Sequence, residues 1–286
     1  MRTIRTKAEM REWTAGEHAA GRTVGLVPTM GAFHGGHHAL MRAARAACDR
    51  VVVSLFVNPA QFDEAGDLAA YPRDEARDAA EAQELGVDVL FAPEAAEMYP
   101  PGFATSVRVD DLAEVLEGAE RGPGHFAGVC TVVCKLLNII SPDVAYFGQK
   151  DAQQVAVVKR MVRDLDMPSR IDVLPTVREP DGLALSSRNV RLGPEDRARA
   201  LALSRALLRA REAVQGGERD AERVRAGALA ELADVAPEYL AVVDPISFSP
   251  LSTISGPALV AVAARVGPVR LIDNVILEPV PSPVAT

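Results

Sequence analysis

Cysteine is almost absent from this chain: Cys48, Cys130 and Cys134 are all it has. Three thiols cannot build a disulfide framework. The pair four residues apart has no zinc-type cluster around it. Buried, reduced thiols in a cytosolic protein are the expectation. Basic charge is in deficit, with 31 Lys and Arg against 39 Asp and Glu and a formal net charge of -8. That excludes a nucleic-acid surface as the main partner, because phosphate backbones select basic faces. No apolar run is long enough to cross a membrane, and the polar amino terminus shows no leader. A cytoplasmic location follows as an expectation. There is no internal repeat, and no Ser-His-Asp or Cys-His arrangement that would supply a covalent nucleophile. What remains is 286 residues, 48% hydrophobic and 24% charged. That is ordinary globular composition, enough for one large or two modest domains.

The chemistry concentrates first in Val27-Pro28-Thr29-Met30-Gly31-Ala32-Phe33-His34-Gly35-Gly36-His37-His38-Ala39-Leu40. The β-branched run Thr23–Val27 precedes this stretch's turn, and Ala39–Ala46 reads as helix after it. A strand thus enters a glycine-rich turn that delivers two histidines to the start of a helix. The unpaired N–H groups and positive dipole end of such a helix attract an anion, above all phosphate. His34 and His37 stand three apart, so one helical turn puts both on the side facing that anion. Glycines at 31, 35 and 36 permit close backbone approach. Taken alone, two neighbouring histidines equally suit an exposed loop.

Their surroundings give the turn a context. Thr6-Lys7-Ala8-Glu9 has the form of a capping box for a first helix running to about Ala20. Arg50–Val57 is nearly all apolar, as expected of a central parallel strand, and it releases the loop Asn58-Pro59-Ala60-Gln61-Phe62. Tyr71-Pro72-Arg73 opens an acidic, alanine-rich helix to about Leu85, and Asp88–Phe91 is a third strand. Val129–Ile140 reads as a buried helix. Asp143–Phe147 is a fourth core strand, ending in Gly148-Gln149-Lys150-Asp151; a helix from Ala152 to about Leu165 and the strand Ile171–Leu174 follow. This alternation predicts an α/β class, with a Rossmann-like, mostly parallel sheet. Ligands of such sheets collect beyond the carboxyl ends of the strands, where His34, His37, Asn58, Gln61, Gly148, Lys150 and Asp151 fall.

After Pro175 the composition changes. The loop Gly182–Asn189 leads to charged helices near Pro194–Gln215 and Asp220–Val235. Short β-like runs follow at Tyr239–Val243, Ala258–Arg265 and Val269–Leu277. The expectation is a Rossmann-like domain over residues 1–176 and a smaller α+β C-terminal domain over 177–286. The proline-rich end, Pro279–Thr286, is expected to be disordered.

The His-x-Gly-His spacing, after a strand and opening a helix, resembles the nucleotide-binding turn of the adenylyl- and cytidylyltransferase superfamily. Pro28-Thr29-Met30-Gly31 narrows the resemblance to the pantothenate synthetase family, ATP-dependent ligases that join pantoate to β-alanine. It covers essentially the whole chain through several motifs in order. The resemblance implies ATP as a substrate, Mg2+ on its phosphates, and a homodimer. It places Met30, Gly31, Ala32, Phe33, His34, Gly35, Gly36 and His37 against the nucleotide, with Gly148, Gln149, Lys150 and Asp151. Val177, Leu185, Ser186, Ser187 and Arg188 would join them from a second domain that closes over ATP. Lys150 would meet the phosphates as a point charge, although beside Asp151 it equally reads as a solvated lysine. Ser186-Ser187-Arg188 offers two hydroxyls and a guanidinium fork for triphosphate oxygens, and equally reads as a capping turn before Pro194.

Gln61 and Gln154, solvated amides on the bland reading, match the glutamines that hold pantoate, and Asn58 and Tyr71 match residues near that pocket. The implied mechanism is two-step. The pantoate carboxylate attacks the α-phosphate of ATP, pyrophosphate leaves, and the β-alanine amine then attacks the acyl carbon of pantoyl adenylate. His34, His37 and Lys150 would be the catalytic cations, with His37 as proton donor to the leaving group. For the metal, Asp78 is one carboxylate to consider, with solvated helix surface the other reading of it.

Two departures stand out. Gly35 occupies a place the family usually gives to an acidic residue, so altered loop stiffness and electrostatics are expected without loss of ATP binding. In Arg121-Gly122-Pro123-Gly124-His125-Phe126 an extra glycine separates arginine from proline, so no role is carried onto Arg121. Two other functions remain compatible with the residues: a different His-x-Gly-His nucleotidyltransferase, which would keep the nucleotide in its product, or a non-catalytic nucleotide sensor.

Overall fold

The computed structural model describes residues 1–62, 66, 68 and 71–279. By its internal contacts the chain divides into two units: residues 1–149 with 153–175, and Lys150–Ala152 with the chain from Thr176 on.

In the first unit six strands form one sheet: β1 (Arg2–Ile4), β2 (Val24–Thr29), β3 (Arg50–Leu55), β4 (Val89–Phe91), β5 (Val144–Gly148) and β6 (Arg170–Leu174). Their order is β1-β4-β3-β2-β5-β6, and every pairing is parallel. The valines 51–53 and Leu90 are fully buried, as a sheet covered on both faces requires. Three aspartates fix the starts of β2 and β3. Val24 N donates to Asp143, Thr23 N to Asp49 and Val51 N to Asp88, at 2.7, 2.9 and 2.8 Å. These charge-assisted bonds satisfy strand-start N–H groups that the ladder leaves over.

Strand β2 lies between β3, which follows it in sequence, and β5, which comes much later. The order therefore reverses at the β2/β5 junction. In open α/β sheets the crevice outside the carboxyl ends at such a reversal is where ligands bind. The two-histidine turn follows β2, and Gly148-Gln149-Lys150 closes β5, so the topology itself selects these segments.

The helices around this sheet are α1 (Lys7–Ala19), α2 (Gly35–Ala47), α3 (Glu75–Glu84), α4 (Ala95–Met98), α5 (Glu117–Arg121), α6 (Pro123–Ile140) and α7 (Ala152–Asp164). Thr6 caps α1 by accepting from Glu9 N at 3.3 Å, as the capping box predicts. Three starts differ from the sequence expectation. Helix α2 begins at Gly35, ahead of Ala39, because His34 itself serves as its N-cap. Helix α3 begins at Glu75, since Asp74 accepts from Arg77 N and closes that end. Helix α6 begins at Pro123, six residues before Val129, with proline in its first turn, where no N–H is needed. Strand β1 and the short helices α4 and α5 had no sequence signal. Cys48 and Cys130 are buried as expected, but Cys134 is only partly so.

The second unit holds α8 (Pro194–Gln215), α9 (Ala221–Ala230) and an antiparallel sheet of β7 (Ala236–Val243), β8 (Ala258–Val266) and β9 (Val269–Leu277), in that order. Ala206, Leu207 and Ala210 of α8 pack into one core with Val260 and Val262 of β8 and Val269 of β9. The proline-rich end lies outside the described residues from position 280 on. Among the described residues no helix is long and apolar enough to cross a membrane.

Candidate active site

The turn after β2 is held by internal bonds before any ligand is considered. Gly31 has φ +92° and Ala32 φ +53°, two successive left-handed residues. The first suits glycine; the second strains an alanine. The Thr29 hydroxyl donates to Ser54 O at 2.7 Å and accepts from Gly31 N at 3.3 Å. Ala32 N and Phe33 N donate to the two oxygens of Asp78, at 2.8 and 3.0 Å. His34 Nδ1 accepts from Gly36 N at 3.1 Å, so a neutral His34 ring carries its proton on Nε2. The rings of His34 and His37 lie 4.2 Å apart between centroids, tilted by 40°. The turn therefore does bring both histidines together, one as N-cap and one in the first turn of α2.

Asp78 is neither solvated helix surface nor a free metal ligand. It is 1% exposed, and both oxygens are taken by backbone N–H groups of the turn. Burial pushes its carboxyl above the usual carboxylate range, while the two N–H donors pull the other way. Among the described residues no group of three or more His, Cys, Asp or Glu is placed to hold a metal.

A second cluster forms at the end of β3. Asn58 is 1% exposed. Its Nδ2 donates to Gln61 Oε1 and to Gly128 O, both at 3.1 Å. Its Oδ1 accepts from the Tyr99 hydroxyl at 2.7 Å and from Ala60 N at 3.3 Å. All four bonding positions of that amide are thus used inside the protein. Burial raises the Tyr99 hydroxyl to about 12, which keeps it a donor. His125 Nδ1 donates to Gln61 O at 3.0 Å, and Gln61 Nε2 approaches Met30 Sδ at 3.1 Å. Gln61 is therefore fixed from both sides, and it touches the histidine turn through Met30. Gly128 lets α6 reach this loop: a Cβ there would sit 2.5 Å from Ala60 C. Tyr71 packs edge-on against Phe62, 5.8 Å between centroids.

Gln154 is partly exposed in the first turns of α7. Its neighbour Gln153 is buried and ties down residues 112–117. It accepts from Glu117 N at 3.0 Å and donates to Leu112 O and Val115 O at 2.8 and 2.7 Å. Arg121 ends α5 immediately before Gly122.

In the second unit, Val177–Leu185 folds back on itself: Leu185 N donates to Val177 O at 3.0 Å, and Arg178 bridges to Ala184. Ser186-Ser187-Arg188 leaves this hairpin, with Arg188 N donating to Ser186 Oγ at 3.2 Å. Arg178 makes a two-pronged bond to Asp273, at 2.6 and 3.0 Å. Buried Asn189 donates to Glu179 Oε1 at 2.8 Å, and Arg197 bridges Glu179 and Asp181, 2.6 Å from each. Asn274, next to Asp273 on β9, donates to Lys150 O at 2.9 Å. Adjacent residues of one strand thus hold both the backbone of Lys150 and the hairpin from which the Ser-Ser-Arg segment departs. Tyr99, Gln153, Asp273 and Asn274 belong to these clusters without having stood out in the sequence. Of these only the last two carried a signal, as an adjacent polar pair in the middle of a mostly apolar strand.

Fold and turn together define the class: a Rossmann-like α/β enzyme with a glycine-rich, two-histidine strand-to-helix turn at its sheet reversal. The family model for pantoate-beta-alanine ligase matches residues 2–276. The pantothenate synthetase of Heliobacterium modesticaldum is 55% identical over 282 residues, 97% of this chain and 100% of the relative. The crystal structure of the Thermus thermophilus pantothenate synthetase superposes with a TM-score of 0.90 at 51% identity, covering 98% of this chain and 100% of that one. A Francisella tularensis pantoate–β-alanine ligase complexed with beta-gamma ATP and β-alanine reaches 0.77 at 34% identity, covering 96% and 97%. The chain belongs to the pantoate–β-alanine ligase family. It is an enzyme of that carbon–nitrogen ligase class.

Proposed function

We propose that the chain condenses (R)-pantoate with β-alanine at the expense of ATP, through pantoyl adenylate. The observation that carries this is the two-histidine turn at the sheet reversal, with Gln61 fixed beside it through Met30. The Francisella relative, complexed with beta-gamma ATP and β-alanine, supports ATP as the second substrate.

A pantoate carboxylate oxygen bonds to the α-phosphorus of ATP, and the bond from that phosphorus to the bridging oxygen breaks, releasing pyrophosphate. The β-alanine ammonium, having lost one proton to solvent, then bonds through its nitrogen to the acyl carbon, and that nitrogen gives up a second proton to solvent. The acyl carbon–oxygen bond to phosphate breaks, and AMP leaves. Neither step needs an enzyme nucleophile. Cys130 and Cys134 are poor candidates for one, since burial raises Cys130 to about 12 and pushes Cys134 up as well. Catalysis comes from positioning and from donors aimed at developing charge.

In the first unit, Met30, Gly31, Ala32, Phe33, Gly35 and Gly36 shape the nucleotide turn. His34 and His37 face the phosphates, and His37 protonates the leaving pyrophosphate. The N–H groups of Ala32 and Phe33 are already committed to Asp78, so these two residues serve as shape and not as phosphate donors. Gln61 and Gln154 hold pantoate, with Tyr71 near them, and Asn58 acts from behind by fixing Gln61. Gly148 and Gln149 contact the nucleotide at the end of β5. In the second unit, Lys150, Asp151, Val177, Leu185, Ser186, Ser187 and Arg188 supply phosphate and nucleotide contacts. Mg2+, when bound, would neutralise charge on the phosphates. The residues fit an ion carried mainly by those phosphates, since Asp78 is spent on the turn. A homodimer and a cytoplasmic location belong to the same proposal and rest on the family resemblance.

The test is a product assay with ATP-Mg2+, pantoate and β-alanine, each omitted in turn. AMP and pyrophosphate should form only with ATP and pantoate both present, and pantothenate only when β-alanine is added. ADP and phosphate as products would overturn the adenylate route.

A further inference from the structure

Helix α3 reads as a solvent helix: in Glu75-Ala76-Arg77-Asp78-Ala79-Ala80-Glu81-Ala82-Gln83-Glu84 every residue but the alanines is charged or amide. Yet the residues it buries are Asp78 and Ala82. A buried carboxylate is costly unless it is fully bonded. Here both oxygens are, and both bonds go to the turn between β2 and α2. Successive backbone N–H groups in a turn form a concavity that favours an anion. In this chain the anion is the protein's own.

The same helix grips the segment at two more places. Arg77 donates to Phe33 O at 3.1 Å, and Glu81 pairs with His38 Nε2 at 2.8 Å. The backbone from Ala32 to Phe33 and the side chain of His38 are thus fixed on either side of His34 and His37. A Cβ at Gly31 would lie 2.8 Å from Asp78 Oδ2, so carboxylate and turn are closely fitted.

We propose that Asp78, assisted by Arg77 and Glu81, is a positioning residue for the ligase reaction: it sets the two-histidine turn in its productive shape. The proposal rests on the adenylate mechanism above. It differs from a purely structural role in acting through the histidines, and only on the step they serve.

The experiment compares wild type, Asp78→Asn, His37→Ala and the double variant in the two half-reactions. Asparagine keeps the volume of Asp78 but turns an N–H toward one of the two amides. Pyrophosphate release from ATP and pantoate should fall on the order of 10–10²-fold in Asp78→Asn. Reaction of preformed pantoyl adenylate with β-alanine should stay within about twofold. In the His37→Ala background Asp78→Asn should add less than about twofold, since residues acting as a unit are not additive. The exposed Arg77→Ala, which leaves the buried carboxylate in place, should slow the same half-reaction a few-fold and serves as the decisive variant if Asp78→Asn does not fold. The imidazole 15N signals of His34 and His37 should shift in either variant, whatever the chemistry proves to be. Additive losses, equal damage to both half-reactions or unmoved imidazole signals would overturn the proposal. Absence of AMP from wild type, with shifted imidazole signals in the variants, would sink the mechanism and leave the clamp standing.

Discussion

The contact between α6 and the loop after β3 gives a sharp prediction for Gly128→Ala. The added methyl would meet Ala60 C at 2.5 Å and Gln61 N at 2.8 Å. Carbon atoms in contact sit about 3.5–4.0 Å apart, so helix and loop must part by about 1 Å. Asn58 Nδ2 now reaches Gly128 O at 3.1 Å, and that separation carries the bond beyond hydrogen-bonding range. Gln61, held by the same amide, moves with it. Overpacking of this kind costs about 1–3 kcal/mol, and each kcal/mol lowers the Tm of a domain this size by about 2–4 °C. A misplacement of about 1 Å at a positioned group costs on the order of 10² in rate, about 2.7 kcal/mol of barrier. Gly128→Ala should therefore melt several degrees lower and lose about 10²-fold in kcat/KM for pantoate, with much less effect on the KM for ATP. Thermal unfolding and initial rates at varied pantoate measure both. A wild-type Tm would show that the loop yields without cost. A lowered Tm with unchanged pantoate kinetics would remove Gln61 from the pantoate site.

Two further outcomes follow from the same geometry. His37→Ala and Lys150→Ala should each slow adenylate formation on the order of 10²–10³-fold, while preformed pantoyl adenylate still reacts well with β-alanine; equal damage to both steps would withdraw their phosphoryl role. Arg197 holds the Glu179 and Asp181 carboxyls below the usual carboxylate range through its hydrogen bonds. A depressed carboxylate stabilises the fold above its unfolded pKa and loses that contribution as pH falls through its folded pKa. The Tm gap between wild type and Arg197→Ala should thus be full near neutrality and close as pH falls below the carboxylate range; a gap that holds or widens in acid would refute the assignment.

The parts of the fold legible in the sequence were those with a local periodic or capping signal. Val51–Val53 announces a buried strand by itself, Thr6 and Glu9 announce a helix start, and β9 lies where its β-like run predicts, Val269–Leu277. The histidine turn was legible too, because a strand, glycines and a helix follow one another within twenty residues. What escaped was held by partners far away in sequence. Asp78 is separated from Ala32 by 46 positions, and within α3 nothing distinguishes it from its exposed acidic neighbours. Gln153 and Gln154 are the same residue to any local pattern. Yet one is buried with its amide bonded to residues 112–117, and the other is partly exposed. The sequence pattern places Asn58 near the pantoate pocket but is silent on its amide, which Gln61, Gly128, Tyr99 and Ala60 saturate. The common cause is physical. A polar residue is buried where its partners, not its neighbours in sequence, satisfy it, so local pattern is silent on the residues that position a site. Asp273 and Asn274 are the instructive exception, because two polar residues in a buried strand conflict with their surroundings. Arg178 and Lys150, the groups they hold in place, help resolve that conflict.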